Sequence, residues 1–95
     1  MANVSYTNEV AYQTYIEATN AVLAGKELVK VLYQEAQEAG QRARRETTGS
    51  FQEKLAAVRE AVQPFRDRIA QVEAEIAQNY KVADENFDAW KGLSK

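Results

Sequence analysis

Apolar residues recur along the second half of the chain at alternating steps of four and three: Phe51, Leu55, Val58, Val62, Phe65, Ile69, Val72 and Ile76. Steps of that kind keep side chains on one face of a helix, so the pattern is an a/d seam. It predicts a long helix packed against another helix. Ser50-Phe51-Gln52-Glu53 reads as a capping box at its start, with the Ser50 side chain accepting from backbone N–H groups of the first turn. Lys91-Gly92 marks the end, a cation in the last turn followed by a glycine suited to the left-handed position after it. Beyond Ile76 the seam weakens to Asn79 and Ala83, while apolar weight moves to Tyr80, Val82, Phe87 and Trp90; the stripe is expected to rotate around the helix there. Pro64 lies inside the seam, where it removes a backbone hydrogen bond and costs up to about 3 kcal/mol. The apolar phase runs through it unchanged, so the reading is a kink within one helix, with a break at 62–64 as the alternative.

The first half carries a matching stripe, Ala11, Tyr15, Ala18, Val22, Gly25, Val29, Leu32, Ala36, Ala39 and Ala43, in which small residues allow close approach of a neighbouring backbone. Polar Ser5, Thr7 and Asn8 place the helix start near Thr7, and Arg42, Arg44 and Arg45 complement the negative end of its dipole. Thr47-Thr48-Gly49-Ser50 is the one convincing turn. The expectation is an all-α, single-domain helical hairpin over 1–95, with antiparallel helices at about 7–46 and 51–91 joined by the turn at 47–50. The first helix has apolar residues to spare. Tyr12, Ile16 and Leu23 flank one side of its stripe, and Leu28 and Val31 flank the other. One wide bundle face would account for them. The preferred reading is a partner interface that closes a four-helix bundle with another helical protein, in a homo- or heterodimer, because no third helix in this chain can cover them.

Charge and composition narrow the chemistry. A net charge of −2 gives no bulk attraction to nucleic acid or to an anionic membrane. Cysteine and histidine are both absent, which removes Ser-His and Cys-His nucleophile systems, disulfides and the common zinc sites. The chain is therefore expected to be no enzyme and to need no cofactor or metal. Asp84 and Asp88 share a helical face, but no complementary ligands lie nearby, and a solvated surface explains them. The arginines at 42–45 are explained by the helix dipole. MANVSYTNEV has neither a basic region nor an apolar stretch, so no cleavable leader is expected. Nor is there an apolar run long enough for stable membrane insertion.

One short motif points further. Tyr80-Lys81-Val82-Ala83-Asp84, with Phe87 three residues after the acid, resembles the C-terminal Tyr-x-x-x-Asp/Glu export motif of the WxG-type small helical-hairpin proteins of type VII secretion. The same resemblance takes in the helical targeting partners of exported toxins. It implies secretion without a cleavable signal peptide, and pairing with a helical partner or with the helical region of an exported effector. It also implies a signal formed by Tyr80, Asp84 and Phe87 and read by the secretion ATPase machinery. The family's Trp-x-Gly turn is replaced here by Thr47-Thr48-Gly49, so the tryptophan is missing. Trp90-Lys91-Gly92 lies at the C-terminus, where it cannot form the hairpin turn, and Lys91 stands where an extended motif prefers an apolar residue. The resemblance is thus to a divergent member or a toxin-associated partner. A cytosolic coiled-coil adaptor or chaperone with no role in export is the alternative. A membrane-active amphipathic toxin is disfavoured by the acidic pI and the sparse lysines.

Overall fold

The computed structural model describes residues 2–92, with side chains from residue 9 onward, as two long helices: α1, Ala2–Glu46, and α2, Phe51–Lys91. They form an all-α hairpin, with no strand among the described residues. α1 begins well before Thr7: residues 2–24 hold no proline or glycine, so nothing in that stretch interrupts the helix. The side chains of Ser5, Thr7 and Asn8 lie outside the described residues.

The two stripes face one another. Ala11, Ala18, Val22, Leu32 and Ala36 of α1 are buried, as are Ile69, Val72 and Ala83 of α2. Tyr15, Val29, Ala39, Ala43, Leu55, Val58, Val62, Phe65 and Ile76 are half-buried in the same phase. Half of the buried set is alanine. Each alanine withdraws little more than one methyl group from water, worth about 0.8 kcal/mol, so the hairpin leans heavily on the partly covered larger side chains. Gly40 shows how closely the helices approach: a Cβ there would lie 3.2 Å from Val62 Cγ2 and 3.5 Å from Val58 Cγ1.

Two expectations about the seam change. Phe51, its expected first member, is 72% exposed. It is the first residue of α2, and the last seam position of α1 is Ala43, too small to cover a phenyl ring. At the other end the seam does not fade. Asn79 is half-buried and Ala83 only 6% exposed, so the heptad phase continues through small and polar residues. The half-buried amides of Asn79 and Asn86 donate to the Glu75 and Val82 carbonyls, at 3.0 and 2.8 Å. Bonding to their own helix lets them occupy or border the seam without an unsatisfied donor.

The termini follow from local chemistry. Ser50 Oγ accepts from the Glu53 backbone N–H at 3.2 Å and donates to Glu53 Oε1 at 3.3 Å. Gly49 and Gly92 hold φ of +123° and +71°, backbone that a side chain disfavours, at the turn and just past α2. α2 runs unbroken through Pro64, which removes the break at 62–64 as an alternative. By contact the hairpin divides into two compact units, each holding part of both helices: Met1–Lys26 with Ala74–Lys95, and Glu27–Glu73.

Candidate functional site

In the first unit, the open end of the hairpin, four aromatic rings interlock. Tyr12 and Trp90 have ring centroids 4.8 Å apart, and Tyr15 lies 5.4 Å from Phe87 and 6.3 Å from Trp90, nearly parallel to the latter. Phe87 meets Trp90 edge-on at 5.9 Å. The geometry follows from the helix repeat. Tyr12 and Tyr15 are three residues apart on α1, as are Phe87 and Trp90 on α2, so each pair projects from one face. Antiparallel helices then bring the pairs together in reverse order. Such contacts contribute about 0.5–1.5 kcal/mol each beyond area burial. Lys91 Nζ stands 4.6 Å from the Trp90 centroid, a cation over the outer side of the cluster.

Asp84 and Tyr80 lie about one and two turns further into α2 than Phe87, both exposed, Tyr80 at 45%. Buried Ala83 faces α1, and at 100° per residue Tyr80 and Asp84 lie about 60° and 100° around the helix from it, on one flank beside the seam. Lys26 of α1 reaches across with Nζ 5.2 Å from the Tyr80 centroid. Phe87, the third residue of the motif, is instead half-buried among the aromatic rings. The structure therefore brings Tyr80 and Asp84 together on one surface and gives Phe87 a packing role. The sequence reading of this region missed the cluster, although its signal was present in two aromatic pairs at matching spacing near opposite ends of the chain.

The residues expected to meet a partner are distributed on α1. In the first unit Leu23 is 57% exposed and Ile16 half-buried, while Tyr12 is partly exposed and carries the Trp90 contact. In the second unit, Leu28 and Val31 are exposed. Among the described residues no group of acidic side chains is arranged to hold a metal, and no helix is long and apolar enough to cross a membrane.

The geometry defines a two-helix hairpin with exposed apolar positions on α1 and an exposed Tyr80–Asp84 pair on α2. Comparison with known proteins finds no matching family model, no similar curated protein and no similar solved structure.

Proposed function

We propose that this chain is a non-enzymatic adaptor that pairs through α1 with another helical protein, and that Tyr80 and Asp84 mark the pair for export. The observation that carries the pairing is a contrast between adjacent residues. Val22 and Leu32 are 4% and 8% exposed, whereas Leu23 and Val31 beside them are 57% and 49% exposed. Burying a leucine or valine fully is worth about 1.5–3 kcal/mol, so side chains left this open are a reserve for association. A second hairpin laid on α1 would complete a four-helix bundle.

The export part of the reading is supported by the resemblance of Tyr80-x-x-x-Asp84 to the type VII motif, and by the exposure of both side chains on one helical face. A helix presents residues four apart side by side, so the ring and the carboxylate make one small docking feature. The alternative, an adaptor that only assembles, is favoured by one observation: the Tyr80 ring already has Lys26 over it, and Phe87 is occupied in the cluster.

Two measurements test these readings, the first the pairing that both share and the second the export that divides them. Light scattering coupled to size exclusion should give a mass above the monomer, for the chain alone or with its partner, and Leu23→Lys should reduce association at unchanged helicity. Equal loss of folding in that variant would place Leu23 in the hairpin's own core. In the native host, Asp84→Ala should abolish export while cytosolic levels and the melting temperature stay near wild type. Normal export of the folded variant would leave the assembling adaptor as the better account.

A further inference from the structure

The turn end of the second unit combines features that neither pairing nor export uses. Phe51 is the most exposed large apolar side chain among the described residues, at 72%. Beneath it lies an open groove of about 500 Å³ lined by Arg44, Gly49, Phe51, Lys54, Leu55 and Val58. A second, polar hollow shares Arg44 and Lys54 and adds Arg45 and Gln41. Although the whole chain is acidic, residues 41–59 carry five Arg and Lys against only Glu46 and Glu53. Glu53 is engaged with Ser50 at the helix cap. Among the described residues the one ion pair is Lys30–Glu27, so Arg42, Arg44, Arg45 and Lys54 have no carboxylate partner.

We infer that this turn is a peripheral docking tip for an anionic phospholipid surface, with Phe51 entering the interface and the cations meeting lipid phosphates. The placement of the arginines favours a surface over a peptide. At 100° per residue, Arg44 and Arg45 point about 200° and 300° around the helix from Arg42, so the three splay about the end of α1. A peptide lying along one side reaches only some of them. A flat charged surface meeting the turn end-on reaches Arg44 and Arg45 of the last turn of α1 together with Lys54 and the Phe51 ring, which line the same groove as Arg44. Long cationic side chains bend toward phosphates while their stems remain in apolar surroundings. The contact is reversible and shallow, because one aromatic ring and a few cations anchor far more weakly than a spanning helix.

The test is flotation of the purified full chain with vesicles of phosphatidylcholine alone or with about one-third phosphatidylglycerol, at low and near-physiological salt. Binding is expected only to the anionic vesicles, weakening as salt rises. Phe51→Ala should lower the partition coefficient at least tenfold. Arg44→Gln with Arg45→Gln should lower it at least tenfold as well, from about fivefold for each cation removed. Both variants change exposed side chains, and circular dichroism should match wild type. Inorganic phosphate should displace the protein no better than chloride of equal ionic strength. Absence of binding to anionic vesicles overturns the inference, as does equal binding to the neutral ones. Unchanged partition of the folded variants, or specific displacement by phosphate that marks a free-anion site, also overturns it.

Discussion

Val72, at 2% exposed, and Ile69, at 4%, form the tightest part of α2's contribution to the core. No polar side chain is buried among the described residues, so nothing there could neutralise a charge introduced at either position. Ile69→Asp or Val72→Asp should therefore unfold the protein outright, since an unpaired buried carboxylate costs more than a small domain's whole stability margin. Glu60→Ala, on the exposed side of the same helix, should stay within about 0.5 kcal/mol of wild type. Circular dichroism melts of the three variants check this. A wild-type melt for Ile69→Asp would mean that α2 presents a different face to α1. The Lys30–Glu27 ion pair, at 3.6 Å, is exposed on both sides and contributes little to that margin.

At the scale of the elements, Pro64 is the clearest departure from helix-forming chemistry. It sits exposed within α2, where its ring leaves the Glu60 carbonyl without the usual N–H donor. Pro64→Ala should restore that bond and stabilise the protein by about 1–3 kcal/mol, raising the melting temperature by several degrees. A fall in melting temperature would show that the proline is needed to fit α2 to α1. The course of both helices was legible in the sequence because the alternation of four and three survives at every position from Ala11 to Ala43 and from Leu55 to Ile76. The ends of the seam were less legible. Hydropathy ranks phenylalanine above alanine and asparagine, yet Phe51 is open and Ala83 is buried. What decides burial there is whether the opposite helix extends far enough, and a one-dimensional pattern does not contain that information. Leu23, Leu28 and Val31, read from the sequence as surplus to one seam, are exposed. Tyr12 and Phe87 were not separable from a surface role, because their packing depends on aromatic partners at the far end of the chain.

At the scale of the whole molecule, the two contact units differ in how their residues come together. The second is closed by the short turn between Glu46 and Phe51, whereas the first joins the two ends of the chain. Closing a longer loop costs more entropy, though only slowly with length, so the second unit is the natural nucleus and the first opens more readily. Trp90, the one tryptophan, lies in the first unit against Tyr12 and Tyr15 and reports on it alone. In a denaturant titration, the Trp90 fluorescence transition should precede the loss of helical circular dichroism. Coincident transitions would mean that the units unfold as one.

The side-chain hydrogen bonds among the described residues each stay within one helix or its cap: Thr14 to Val10, Thr19 to Tyr15, Ser50 with Glu53, Gln63 to Asp67, Arg68 to Gln71, Asn79 to Glu75 and Asn86 to Val82. Among the described residues no side-chain hydrogen bond therefore joins α1 to α2, and a slip of one helix past the other by a heptad would break none. Two apolar stripes of the same period match again after such a slip, so among the described residues the native register is distinguished where Gly40 receives Val62, where Lys26 meets the Tyr80 ring and where the four aromatic rings interlock. The remaining constraint is covalent: a connection as short as Thr47–Ser50 has no slack to let either helix slide. The turn thus acts as the ruler of the hairpin, and its length, more than its sequence, decides which residues of α1 meet which residues of α2.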